Sequence, residues 1–576
     1  VLEGLITVLS GFAVSRRLRC LALAGVLGAV LIIAAGATGS GSRHRLWATA
    51  PAVRHGLGVG IRIAIPRASR SERSHGVRPG GTVTEPNLQR VGHTQDADVT
   101  VLAVGERGIP RNFLGLSTEY WEVPDLDRHR ALFDRVLSML RVDGDGPMML
   151  RIGGDSADDS SYARDPLAHP PRWSHYLLSA AFFRHAAGLV RHAHVRFTID
   201  LNVAEDSPSA AVSWAGAAIS GLPAGSVAAL EIGNEPDLFS WWHHRFAGGD
   251  ARLPLLMREN NLTAEGYARV FGAYARALHA AYPTIGIAGP ALSEPSRHLA
   301  WQTAALAAAD GAVTEVTGHR YPLSACVRRP GNPSHPTIAR VLSDRASVGM
   351  ARSLGPAIAD ARRDGLPYVL TEFNSVTCGG TPGVSNAFAT ALWAPDALFS
   401  FIRAGVRAAA LHVRPDAINA PFTFRGASLR ARPLLYGLAL FQRTLGPDAK
   451  LMPTRVVSSA HPDLRVWAVR TDGALHLLLI NKSSTPITAR LRLPAHGLAT
   501  VQWLTAPSAA STSGETLAGQ HISPNGLWTG SPVIQQVRIN PDGTVVERLG
   551  GHSASLLRAS IDPSRTVQSA LQDPNR

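Results

Sequence analysis

Between Phe113 and Thr423 the sequence alternates short apolar runs with longer alanine-rich helical stretches, and it does so eight times. The runs begin at Phe113 (FLGLSTEY), Met148 (MMLRIGG), Arg196 (RFTIDLN), Ala228 (AALEIGN), Ile285 (IGIAGP), Val313 (VTEVTGHRY), Tyr368 (YVLTEFN) and Ala408 (AAALHV). The intervening stretches, such as those from Thr263 and Asn386, carry helical patterning. Eight strand–helix units predict an α/β fold, a (β/α)8 TIM barrel. A doubly wound sheet is the alternative, but it would announce a glycine-rich phosphate loop after its first strand, and the sequence has none.

The pattern then changes. A helical stretch from Pro433 leads into strand-like runs with no helices between them, among them LRVWAVR from Leu464 and ALHLLLINKS from Ala474. These predict a C-terminal antiparallel β-sandwich, which the early run VTVLAV from Val99 is expected to join. The expected layout is a strand region over 97–110, a catalytic barrel over 111–425, a sandwich over 426–560 and a polar tail over 561–576.

The net charge of +14 raises nucleic-acid binding, but its distribution argues against it. Twelve arginines face three glutamates before Val91, so most of the excess charge lies ahead of the barrel. There, Arg16, Arg17 and Arg19 precede the apolar run Leu21 to Ala37, the layout of a signal peptide or signal anchor over 1–39. Residues 40–96 read as a basic linker of low order. The protein is therefore expected to be secreted or held at the cell envelope, in contact with a membrane only if the apolar segment is uncleaved. In an oxidising compartment Cys326 and Cys378 form a candidate disulfide, because Cys20 falls in the signal region. No metal-ligand spacing and no dinucleotide fingerprint occurs, so neither metal nor cofactor is expected.

Two acidic motifs end candidate strands 4 and 7: EIGNEPD from Glu231 and LTEFNS from Leu370. Side chains just past the C-terminal ends of barrel strands point into the mouth, where barrel enzymes do their chemistry. Glu235 and Glu372 occupy that place from opposite sides. Two carboxyls facing across a mouth suit glycoside hydrolysis with retention, one as acid and then base, the other as nucleophile. Asn234 suits a hydrogen bond to a sugar 2-OH, whereas Glu231, earlier in its strand, is expected to pair with a barrel arginine. Trp241 and Trp242 suit either sugar stacking or core packing, and His319 and His412 read as structural histidines.

Together LRIGGDSADDSSY, EIGNEPD, GHRYP and TEFNSVTCGGTPGVSNAFATALW resemble glycoside hydrolase family 79, the β-glucuronidases and heparanases, from about Asp98 to Ser560. The resemblance implies Glu235 as acid/base and Glu372 as nucleophile, with Tyr321 hydrogen-bonded to Glu372 and Arg151 supplying positive charge beneath it. It implies that Asp155, Asp158 and Glu119 bind sugar hydroxyls. The chain departs from the family where a Tyr and a Lys would grip a uronate carboxylate, having Thr377 and Thr381 instead. Backbone N–H groups of Gly379 and Gly380, with Arg328, Arg329, Arg414 or Arg425, would then have to replace them. The expected partner is a carbohydrate, with a β-glucuronide foremost. A neutral glycoside, or a non-catalytic role in binding cell-wall glycan, are the alternatives.

Overall fold

The computed structural model describes residues 95–165, 169–245, 252–259, 261–458 and 463–561. The expected signal segment, all but the end of the linker and the tail beyond Ile561 lie outside the described residues. Among the described residues no helix is long and apolar enough to cross a membrane.

Eight parallel strands close into a barrel: Leu114–Glu119, Met148–Gly153, Val195–Leu201, Val227–Ile232, Gly286–Leu292, Glu315–Arg320, Tyr368–Phe373 and Ala408–His412. They follow chain order around the barrel, and the eighth returns to the first through Leu411 opposite Leu116. Both faces of the strands are buried, the outer one under the helices, so the strands read as near-continuous apolar runs. The last barrel helix, Pro433–Thr444, lies beyond the expected boundary at 425. It packs on the helix Ala389–Ala404 so closely that a Cβ on Gly437 would stand 2.3 Å from the Ala391 carbonyl oxygen. Only a glycine permits that approach.

Beyond this helix two sheets build the sandwich. In the four-stranded one, Gln95–Val101 lies between Thr454–Ser458 and Ile487–Arg492, and Thr544–Leu549 forms an edge. The larger sheet is centred on Leu464–Thr471, Ala474–Asn481, Ser553–Ile561 and Ala495–Thr505. A second apolar core, with Val99, Leu477 and Leu491 in it, separates the two. The sandwich is tied to the barrel by the buried pair of Lys482 Nζ and Asp396 Oδ2 at 2.5 Å, whose Oδ1 accepts from the Trp467 indole at 3.0 Å. Barrel and sandwich thus share a seam along the helix that follows the seventh strand.

Candidate active site

At the C-terminal rim of the barrel, Glu372 ends the seventh strand and Glu235 follows the fourth by three residues. Glu235 sits in the left-handed region at φ +43°, a conformation that a glutamate adopts only when its surroundings impose it. Its N–H donates to the Ala291 carbonyl at 3.1 Å. Asp237, two residues on, accepts from the Ser293 N–H at 2.9 Å and the Ser293 hydroxyl at 2.7 Å. The loop after the fourth strand is thereby stitched to the fifth, which aims the Glu235 carboxyl across the mouth.

Oxygens of Glu235 and Glu372, and a ring nitrogen of His319, lie within 4.8 Å of one another. Glu372 Oε1 accepts from the Tyr321 hydroxyl at 2.8 Å, and Oε2 accepts from Arg151 Nη1 at 2.9 Å. Arg151 is fully buried and donates also to Glu231 at 2.7 Å, Asp200 at 2.8 Å and Asn234 Oδ1 at 3.1 Å. One guanidinium therefore orders the nucleophile-side carboxylate and the barrel floor together. Arg151 and Tyr321 are thus both bonded to Glu372, and Glu231 pairs with Arg151.

The two carboxyls are pushed in opposite directions. Burial drives the Glu372 carboxyl up, but the charges of His412, His319 and Arg151 and the Tyr321 hydrogen bond outweigh it and hold it at about 2. Burial raises Glu235 above the ordinary carboxylate value, and its hydrogen bond to His319 opposes this only in part. Glu372 is thus an anion at neutral pH, while Glu235 retains a proton to higher pH, the division of roles that acid-assisted displacement needs.

The histidines overturn the structural reading made of them. His319 Nδ1 lies 3.0 Å from Glu235 Oε1, and His412 Nδ1 lies 3.4 Å from Glu372 Oε2, without hydrogen-bond geometry. A bulge between Gly318 and His319 sets His319 directly opposite Glu372 in the sheet register. The residue left unpaired is Thr371 on the seventh strand, whose hydroxyl donates to Glu231 at 2.7 Å, and nothing in the local sequence signals it.

Other expected sugar-binding residues divide. Asp155 reaches solvent at the rim of the mouth, 3.5 Å from Asn234 Nδ2, while its carboxyl is raised by the loss of water from the protein mass around it and by the charges of Glu235 and Glu372. Asp158 is buried, with Oδ1 unpartnered, on a cavity of about 290 Å³ shared with Asp155 and Trp242. Trp241 is half exposed and edge-on to Trp242. Glu119 is only 3% exposed and its Oε2 accepts from the Ser156 N–H at 2.9 Å, so it anchors the loop after the second strand. Its other oxygen, Oε1, lies 3.5 Å from His412 Nε2.

The nucleophile loop also differs from expectation. The Gly380 N–H donates to Thr377 O at 3.4 Å, closing a turn, and is not free for a carboxylate. Arg328 and Arg329 are exposed, and Arg425 lies on a hairpin away from Glu372. Arg414, after the eighth strand, is the candidate cation whose charge acts on Glu119 and Asp155; its Nη2 pairs with Asp416 at 3.4 Å, and its buried Nε has no partner among the described residues. Cys326 and Cys378 form a disulfide with Cα atoms 5.9 Å apart, beside the short pairing of Leu323 with Val376.

Glu235, His319 and Glu372 could each offer one atom to a divalent cation. Arg151 and Tyr321 already engage both oxygens of Glu372, and a permanent guanidinium charge 2.9 Å away opposes a second cation.

No family model matches the sequence, and no curated protein matches it significantly. Solved structures do match in fold. A 4-O-α-L-rhamnosyl-β-D-glucuronidase from Fusarium oxysporum superposes with a TM-score of 0.63 at 17% identity, covering 80% of this chain and 99% of that one. The family 51 arabinofuranosidase from Xanthomonas axonopodis gives 0.57 at 17% identity, covering 81% and 100%. A family 44 xyloglucanase from Paenibacillus polymyxa gives 0.54 at 12% identity, again covering 81% and 100%. The chain therefore has the fold of these glycoside hydrolases over nearly their whole length.

Proposed function

We propose that the protein is a retaining glycoside hydrolase with Glu372 as nucleophile and Glu235 as acid/base. The observation that carries this is the approach of the two carboxyls to within 4.8 Å across the barrel mouth. Retention calls for a separation of about 5–5.5 Å between the carboxyl groups, whereas inversion needs about 6.5–9.5 Å to admit a water. In the first step Glu372 attacks the anomeric carbon as the bond to the leaving oxygen breaks, and Glu235 protonates that oxygen. In the second, Glu235 takes a proton from water, which attacks the anomeric carbon and releases Glu372. Tyr321 and Arg151 hold the Glu372 oxygens so that one is aligned for attack.

For the substrate, a β-glucuronide is the better-supported reading. Arg414, held by Asp416, offers a guanidinium beside the acidic residues of the mouth, suited to a carboxylate, and the Fusarium enzyme that shares the fold is a glucuronidase. The neutral-glycoside reading draws on the Gly380 N–H that is already committed within its loop.

Glu372→Ala tests the catalytic reading. It should abolish turnover of an aryl glycoside, and added azide should restore it with formation of an inverted glycosyl azide. Glu235→Ala should keep activity on substrates with good leaving groups. Full activity of Glu372→Ala without azide would refute the assignment. We further propose that the chain is exported, as the N-terminal charge and apolar run suggest; detection of the mature protein outside the cytoplasm tests this.

A further inference from the structure

A second cavity, of about 580 Å³, opens between the hairpin Phe422–Arg425/Ser428–Ala431 and a sandwich segment running from 512 to 524. None of its lining residues contacts Glu235 or Glu372, and it shares none with the cavity at Asp155 and Asp158. Its volume lies within the range of about 300–1,000 Å³ typical of small-molecule sites.

Both walls are fixed. The Leu429 N–H donates to Pro524 O at 2.7 Å, joining hairpin to sandwich. Phe388 and Ala389, at the end of the nucleophile loop, donate to the carbonyls of Ser511 and Ala509 at 2.8 and 2.9 Å. Asn419, just ahead of the hairpin, accepts from Asn374 on the nucleophile motif at 3.1 Å. The cavity is thus framed by segments that also frame the catalytic mouth.

The hairpin register decides what it presents. Thr423 is opposite Arg430 and Arg425 is opposite Ser428, and residues directly opposed share a face. Arg425 and Arg430 therefore stand together on one face, while Phe424 turns the other way to stack on His129. Both arginines are exposed, neither is bonded to another of the described residues, and the charge of Arg430 acts on Glu515, so an anion seated between them gains from both guanidinium charges. Facing the same space is Glu515, only 6% exposed, whose Oε2 is buried without a partner. This oxygen is therefore an acceptor available to a hydroxyl of a bound ligand. Thr512 and Ser513 add hydroxyls at the rim.

We propose that this cavity is a second carbohydrate site that holds an acidic sugar residue, its carboxylate on Arg425 and Arg430 and a hydroxyl donated to Glu515 Oε2. The choice of a saccharide rather than a bare anion rests on the glycosidase reading of the neighbouring cleft and on the open acceptor at Glu515 Oε2, which a hydroxyl fits and a bare anion does not. Such a site would hold a polyuronide chain beside the mouth while one residue is processed.

The test uses the full chain carrying Glu372→Gln, so that nothing is turned over, titrated calorimetrically with a tetramer of galacturonate, a neutral xylotetraose and sulfate. The tetrauronide should bind more tightly than either, and adding Arg425→Gln and Arg430→Gln should weaken it about tenfold or more. The same two substitutions with Glu372 intact should leave hydrolysis of a small aryl glycoside unchanged, which shows the fold and cleft to be sound. Equal tetrauronide affinity with and without the arginines overturns the proposal. So does xylotetraose binding as tightly, and so does sulfate binding as tightly, which would mean an anion site only. Failure of the glycosidase reading shows itself separately, as a wild-type protein inert on every aryl glycoside.

Discussion

His319 Nδ1 stands 3.0 Å from Glu235 Oε1 while His319 itself faces Glu372 across the sheet register. One imidazole therefore touches the acid and sits beside the nucleophile. Burial lowers the His319 pKa, but the charges of Glu372 and the hydrogen bond of Glu235 more than offset this and raise it. A histidine so placed orients the Glu235 carboxyl and limits how far its pKa climbs.

The rate should trace a bell against pH. Its acid limb follows Glu372, held low, and its alkaline limb follows Glu235, raised above the usual carboxylate range. His319→Ala removes a hydrogen bond and a charge that both lower Glu235, so the alkaline limb should move to higher pH. Loss of a hydrogen bond to a charged group, worth about 1.5–3 kcal/mol, should lower kcat roughly ten- to hundredfold. An alkaline limb that stays in place would show that His319 does not tune the acid.

Replacing Arg151 by Met should destabilise the fold. It leaves Asp200, Glu231 and Glu372 buried at the barrel centre without their shared cation. Breaking a buried ion pair from one side costs about 3–5 kcal/mol, to be read from urea unfolding at neutral pH. The substitution should also raise the acid limb of the rate profile, since the cation that favours ionised Glu372 is gone. A stability change below about 1 kcal/mol would mean that the guanidinium is not what holds these groups together.

Reduction of Cys326–Cys378, which are 52 residues apart in sequence, should lower the unfolding free energy by about 2–4 kcal/mol. The bridge joins the loops that follow Tyr321 and Glu372, so KM for a glycoside should rise more than kcat falls. Matching melting temperatures with and without reductant would exclude a stabilising role.

Arg414→Gln should separate the two substrate readings. Where Arg414 receives a uronate, kcat/KM on an aryl glucuronide should fall about ten- to hundredfold, with little change on the matching glucoside. Equal rates of the wild type on both substrates would favour the neutral glycoside.

The eight-fold alternation and the two carboxylate motifs were legible in the sequence because each is local: periodicity marks a strand, and a strand's end marks the barrel mouth. Arg151 and Tyr321 were reachable only through a family resemblance, since nothing near them in the chain announces a partner at Glu372. What remained hidden depends on contacts between distant segments. His319 and His412 end separate strands, and only barrel closure and a one-residue bulge bring them to the carboxylates. Glu119 is held to the loop after the second strand by a hydrogen bond from Ser156, and the hairpin register sets Arg425 on one face with Arg430. The sequence by itself determined which residue types line the mouth, because strand period and strand order are written along the chain. The tertiary structure alone decided which of them touch and how their charges divide, because burial and Coulomb interaction depend on distance through space, not on separation along the chain.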